Sequence, residues 1–315
     1  MYRYGNTKQM NLKDILEKLS IPAVYYGDQT FDAMGKIEAC VEGRLCAYLN
    51  SAKYIDAISK NIHVIITTKE SSAALSGYNT CIVDYPKVVF FMVHNLLAND
   101  ISYKRPPFTT QIGRGCCISN LAMIADSNIY IGENVIVEEF VSIKENTTIG
   151  NNSIIRAGTV IGSEGFQYAR MPDSMIPIRH IGGVIIGKHV EVQANATIDK
   201  AIYPWDDSVV LDHSKIGGSV HIDHAVKIGQ RTLVAGSSLI AGNSVLGNDV
   251  WIGSNATIRN SISIGDNARI NMGAVVTKDV AAGDSVSGNF AIDHSTFIEH
   301  IKYISNLYKN ENPAD

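Results

Sequence analysis

The 315-residue sequence has no apolar run long enough to cross a bilayer. Its longest, Val88 to Val93, falls far short of the roughly 20 residues a spanning helix needs. The opening MYRYGNTKQM lacks the apolar stretch of a secretory signal, so a cytoplasmic protein is expected. Charge is sparse: charged residues make up 18% of the chain and the formal net charge is −4. That balance argues against a polybasic surface for nucleic acid, and the 45% hydrophobic content argues against disorder. Cysteine is scarce and odd in number: Cys40, Cys46, Cys81, Cys116 and Cys117 form no C-x-x-C pair. Reduced, buried thiols fit that pattern better than a disulfide framework or a zinc ribbon.

What is present is a repeat. Stepping by six from Val210 meets Ile216, Ile222, Ile228, Val234, Ile240, Leu246, Ile252, Ile258, Ile264, Ile270 and Val276, all aliphatic. A second run reads Ile131, Val137, Ile143, Ile149, Ile155 and Ile161, a third Ile186, Val192 and Ile198, and an imperfect opening run Ile112, Ile118 and Ile124. A period of six matches neither the 3.6 of a helix nor the 2 of a strand. It fits short strands joined by tight turns, with one residue in six pointing inward. Glycine often follows the aliphatic position, as in Ile216-Gly217 and Ile252-Gly253, and Asn and Asp crowd the turns, where left-handed backbone angles suit them. Three strands close a triangular coil of 18 residues. The fold class expected is mainly β, a left-handed parallel β-helix with a small N-terminal α/β domain and a C-terminal α-helix.

The domain boundaries expected are 1–105 for the α/β unit, 111–289 for the β-helix and 290–315 for the helical tail. In the first unit Asn11 is placed to cap a helix bearing Leu12, Ile15, Leu16 and Leu19. Strands are expected at 63–68 and 81–83, and a helix over Pro86 to Leu97, with Arg105-Pro106-Pro107 as linker. The β-helix is interrupted between Ile161 and Ile186 by an external loop, and again at Tyr203-Pro204-Trp205, where Pro204 falls on an inward repeat position. The tail carries Phe297, Ile301, Ile304 and Tyr308 on one face, with Asp293 or Ser295 as cap. A plug over the open coil end and a partner-binding role are both open to it.

Four segments carry a resemblance: LCAYLNSAKY (45–54), IGSEGFQYA (161–169), IGGVIIGKHVEVQANATID (181–199) and VHIDHAVKIG (220–229). They resemble the left-handed β-helix N-acyltransferases related to UDP-3-O-acylglucosamine N-acyltransferase. The resemblance implies a homotrimer, a donor that is acyl-CoA or acyl carrier protein, and a nucleotide-linked amino sugar as acceptor. It implies synthesis of a surface polysaccharide or of a lipid A-type glycan, the second being UDP-3-O-(3-hydroxyacyl)glucosamine N-acylation proper. Lys302 and Lys309 are the only charge offered to an acidic carrier by the tail, which is weak support for one.

His224 stands two places after the inward Ile222, at or near a coil corner and facing out. A sugar amine attacking a thioester must lose a proton, and imidazole titrates near working pH; the resemblance gives this histidine the role of general base. Gly242 lies 18 residues on, one coil along, where its N–H would face the developing oxyanion. His221 replaces the family's usual glutamine and is a substrate-contact candidate. Gly217 stands where the family places an aspartate that orients the base, leaving Asp223 or Asp206 to substitute, and Ser261 stands near the family's second histidine. Tyr48 and Tyr54 match the family's uracil-stacking aromatics, with Ser51 at its asparagine position. Phe166, Gln167 and Tyr168 are candidates to line the thioester channel, and Lys278 to meet a CoA phosphate. A competing reading gathers zinc at His213, His221 and His224, as in β-helix carbonic anhydrases. There, however, two ligands lie five residues apart in one coil, whereas His221 and His224 lie three apart, and no metal is expected.

Overall fold

The computed structural model describes residues 9–288 and 291–311. The six-residue period becomes three flat faces of stacked parallel strands. The first face runs from Gln111–Ile112 to Ser263–Ile264, the second from Cys117–Ile118 to Ser285–Val286, and the third from Met123–Ile124 to Val275–Val276. This is a left-handed parallel β-helix. One aliphatic residue per strand points inward, and these stack into a continuous buried column from Ile129 to Val280. Each coil must turn three sharp corners, and the corner residues take left-handed angles: Asn128, Asn134, Asn146 and Asn152 lie at φ 57°, 55°, 65° and 59°. Asparagine suits that region because its short amide bonds locally. The amides also stack, Asn128 donating to Asn146 at 3.0 Å and Asn134 to Asn152 at 3.3 Å.

Ladder partners lie 18 residues apart in a regular coil, as in Ile129 with Thr147. Across the external loop the step grows to 37, Thr147 with Val184. Across the 199–207 segment it is 24, Val184 with Ser208. Each excursion therefore leaves the helix and returns in register. Pro204 is consequently not an inward position: the column passes from Ile198 directly to Val210, and Tyr203-Pro204-Trp205 belongs to the excursion. The column cannot hold a residue lacking an N–H for the ladder, so the proline sits where no ladder bond is required.

Before the β-helix lies a five-stranded sheet ordered 24–26, 79–82, 62–67, 45–49, 33–34. Helix α1 (Leu12–Lys18) is capped by Asn11, whose Oδ1 accepts from the Lys13 N–H at 2.9 Å. A short α2 (Lys69–Ser72) follows, then α3 (Pro86–Leu97), which starts at its proline as expected. The sheet, α3, Ala169 and Ile178 of the external loop, and Ile202 and Tyr203 of the second excursion share one hydrophobic cluster. Trp205 stacks on Tyr203 and donates to Met34 O at 2.8 Å. Arg105 of the linker donates to Pro204 O, Asp206 O and Asp207 Oδ1 at 2.7–2.8 Å.

Helix α4 (His294–Glu311) begins at Asp293, whose Oδ1 accepts from the Ser295 N–H at 2.9 Å. Phe297, Ile301 and Ile304 are exposed, so within this chain their face does not plug the last coil; the Tyr308 side chain lies outside the described residues. Cys46 and Cys81 are buried thiols, whereas Cys40 and Cys117 are exposed, contrary to the expectation for the set. Cys117 is exposed because it precedes the inward residue of its strand and so points outward.

Candidate active site

His224 occupies the corner between the third and first faces. At this corner successive coils stack His224 under Gly242: the Asn243 N–H donates to His224 O at 2.9 Å, and the Ser261 N–H to Gly242 O at 3.0 Å one coil further. His224 stands outside the aliphatic column, as its position after Ile222 requires. It is nevertheless only 4% exposed, because this chain's own external loop covers it. A Cβ built on Gly242 would lie 2.5 Å from His224 Cε1 and 2.8 Å from Nε2. A Cβ on Gly165, from the loop, would lie 3.1 Å from His224 Nδ1 and 2.7 Å from Asp223 Oδ1. Two glycines thus bracket the imidazole: a side chain at 242 would displace the ring, and one at 165 would press on it and collide with Asp223. The Gly242 N–H donates to no group among the described residues.

Asp223 Oδ1 accepts from both the His224 backbone N–H and Nδ1, each at 2.7 Å. With Nδ1 carrying its proton toward the carboxylate, Nε2 presents a lone pair, and the Asn243 amide approaches it at 3.4 Å. This is the tautomer a general base needs. Burial pushes the Asp223 carboxyl up, but its hydrogen bond to His224 and the imidazole's charge outweigh burial and hold it below its ordinary value. Of the two candidate stand-ins for the missing aspartate, Asp223 therefore touches the imidazole, while Asp206 pairs with Lys227 at 2.6 Å. Position 217 has no room for a carboxylate within the chain, since a Cβ on Gly217 would meet the Gly236 nitrogen at 2.6 Å.

His221 projects outward from its strand, half-buried, and its Nε2 meets Asp199 Oδ2 at 2.8 Å. Asp199 is buried, and its other oxygen accepts from Ser163 Oγ at 2.5 Å. The Asp199 hydrogen bond raises the His221 pKa against its partial burial. His213 turns a different corner and stacks on His189, ring centroids 4.9 Å apart. Each histidine of the zinc reading thus meets a different neighbour, and no group of three metal-ligating side chains occurs among the described residues.

Phe166 and Tyr168 form an edge-on pair 5.1 Å apart on the outer surface of the external loop, with Phe166 81% exposed. Lys278 is exposed at the same corner three coils beyond His224. At the ~4.8 Å spacing of paired strands that separates them by roughly 14 Å along the axis. Tyr48 lies in the strand Leu45–Leu49 and packs on Phe90 and Phe91, centroids 5.1 and 6.0 Å away, so part of its ring serves the domain core. Ser51 precedes the 3-10 turn Ala52–Ala57, and Tyr54 within that turn is exposed under the Lys53 ammonium, 4.7 Å from its ring centre. The six-residue period contains no signal for three further residues at the base. These are Gly165 and His180 of the loop, which lie outside the repeat, and Asn243, one ordinary corner asparagine among many. His180 is 1% exposed and stands 5.4 Å from His224 between ring centroids.

The family model described as bacterial transferase hexapeptide (six repeats) matches residues 128–163 and 243–278. UDP-3-O-acylglucosamine N-acyltransferase of Saccharophagus degradans is 42% identical over 83 residues, 26% of this chain and 24% of that one. The chain thus spans about a quarter of the length of that relative. The enzyme of the same name from Helicobacter pylori is 30% identical over 251 residues, 71% of this chain and 72% of that one. Among solved structures, Arabidopsis UDP-N-acetylglucosamine acyltransferase superposes with a TM-score of 0.51 at 26% identity, covering 57% of this chain and 62% of that one. The aliphatic column, the glycine-bracketed histidine corner and the long match to the Helicobacter pylori enzyme lead to one conclusion: the chain belongs to the UDP-3-O-acylglucosamine N-acyltransferase family of hexapeptide-repeat transferases.

Proposed function

We propose that this chain transfers an acyl group from a thioester, acyl-CoA or acyl carrier protein, to the amino group of a nucleotide-linked amino sugar, for a lipid A-type or surface glycan. The observation that carries the reading is the Asp223–His224–Gly242 corner. In the reaction the amine nitrogen attacks the thioester carbonyl carbon, and one N–H proton passes to His224 Nε2. Asp223 steadies the imidazolium through Nδ1 at 2.7 Å. The oxyanion that forms meets the unengaged Gly242 N–H. The C–S bond then breaks, and the proton on Nε2 leaves with the thiolate as free thiol. Lys278, up the same corner, suits the phosphates of a CoA or carrier pantetheine, and Phe166 and Tyr168 the acyl chain. His221, Tyr54, Ser51 and the open side of Tyr48 suit the nucleotide sugar. A homotrimer supplies the neighbouring surface that completes the cleft. No helix among the described residues is long and apolar enough to cross a membrane.

The test is a panel of UDP- and dTDP-amino sugars offered with acetyl-CoA, hydroxybutyryl-CoA and a long-chain acyl carrier protein, reading free thiol. His224→Ala should lower turnover by about 10²–10⁴ with the assembly intact. Turnover unchanged by that substitution removes His224 as base, and thiol release with no acceptor in the panel removes the reading.

A further inference from the structure

His180 comes from outside the repeat and ends beside the base. Its Nδ1 lies 2.9 Å from Ile178 O, so Nδ1 carries the proton and Nε2 a bare lone pair. That Nε2 is buried and has no hydrogen-bond partner among the described residues. A buried acceptor left without a donor is unfavourable and calls for an account. It faces Gly165, whose built Cβ would stand 3.1 Å from His180 Nε2 and 3.1 Å from His224 Nδ1. Burial, with the neighbouring His224 next, holds the His180 pKa down to about 3, so the ring is a neutral acceptor across the working range. The loop holding it is fixed from the N-terminal unit. His94 Nε2 donates to Arg179 O at 2.9 Å, and Asn95 bonds Pro177 O at 2.8 Å and the Arg179 N–H at 3.0 Å.

Resting on the acyl-transfer reading, we infer that His180 Nε2 accepts the second N–H of the attacking amine and so makes the site selective for nitrogen over oxygen acceptors. A primary amine carries two N–H bonds. One proton leaves through His224 Nε2 to the departing sulfur, and the other stays on nitrogen and persists in the product amide. That retained N–H is a donor at every stage, and it grows stronger while the nitrogen is cationic. An alcohol has one O–H only; once its proton goes to the base, nothing is left for His180. One nitrogen must reach both Nε2 atoms, and ring centroids 5.4 Å apart bring the two imidazoles close enough for a single group to touch both. Gly165 lies against His180 Nε2 and the Nδ1 edge of His224, and it must lift for the acceptor to reach His180.

The test compares the parent with His180→Phe, which keeps a ring but no lone pair, and with His180→Gln, which keeps an acceptor. Each is assayed for thiol release with the amino sugar the parent turns over best and with the matching sugar bearing hydroxyl in place of the amine. Thermal unfolding is followed alongside. His180→Phe is expected to lose about 10- to 100-fold in kcat/KM for the amine and distinctly less for the hydroxyl sugar, so that the nitrogen-to-oxygen ratio falls. Its melting temperature should change little, because removing the orphaned Nε2 offsets the loss of the Nδ1–H bond to Ile178 O, and His180→Gln should recover most of the ratio. If His180→Phe does not fold, His180→Leu is the same test. An unchanged ratio in an active, folded variant overturns the inference and leaves the acyl-transfer reading intact. A parent that acylates no amine overturns that reading first and this inference with it.

Discussion

Gly242→Ala should disable the site without unfolding the protein. Its Cβ would stand 2.5 Å from His224 Cε1 and 2.8 Å from Nε2. Carbon atoms rest at about 3.5–4.0 Å, so the imidazole must withdraw by roughly 1 Å. It does not withdraw freely, because Asp223 holds Nδ1 at 2.7 Å. A displacement of about 1 Å in a reacting group lowers the rate on the order of 10²-fold. The same crowding costs about 1–3 kcal/mol of stability, a shift of a few degrees in melting temperature for a chain this size. Gly236 is the control, a corner glycine one hexad earlier whose Cβ would meet only the backbone of Gly218, nearest at 3.2 Å. Thiol release should fall by about two decades in Gly242→Ala and stay near parent in Gly236→Ala, while both remain folded at the assay temperature. Parent-like turnover in Gly242→Ala would refute the placement of His224 against that glycine as the reacting geometry.

Asp223→Asn should keep the fold but free the imidazole to present the wrong tautomer, lowering kcat by about 10²–10³ with little change in KM; a pure KM effect would count against Asp223 as the orienting group. Acid should destabilise the chain through its two buried neutral histidines. His94 is held to about 4 and His180 to about 3, chiefly by burial. Below the ordinary value near 6.5 the unfolded state binds protons that the folded state refuses, so stability falls as pH drops from there to those lower values. Each histidine contributes up to about 1.4 kcal/mol per pH unit in that window. His221, with a raised pKa, acts in the opposite sense and is lost as pH rises, but it is half exposed and its share is screened. A urea midpoint at pH 5 no lower than at pH 7 would contradict the burial of His94 and His180.

The column was legible because one inward residue in six is a strong constraint: a polar residue there would break a stack whose members are almost wholly buried. The His224–Gly242 adjacency followed from the same arithmetic, since 18 residues close one coil. The helix boundary at Pro86 and the Asn11 cap were local chemistry and were readable for that reason. Pro204 misled because counting by six assumes an unbroken coil, and the 199–207 segment inserts six residues. His180 was invisible for a related reason: nothing in MIPIRHIGG says that a loop 44 positions upstream of the base folds back over it. Its place is decided by α3, whose His94 and Asn95 hold Arg179, the residue before it, while Asn95 also bonds Pro177. Long-range docking of that kind leaves no periodic trace.

The two excursions suggest how such a chain diversifies. Because each departs from a rung and rejoins in step, its length and sequence are free to vary while the corner bearing the base stays fixed by coils above and below. New acceptor preferences can therefore arise by exchange of outlying segments, much as tools are swapped on a common handle, with no rebuilding of the shaft. The N-terminal unit, gripping both segments at once, would have to change in concert with them.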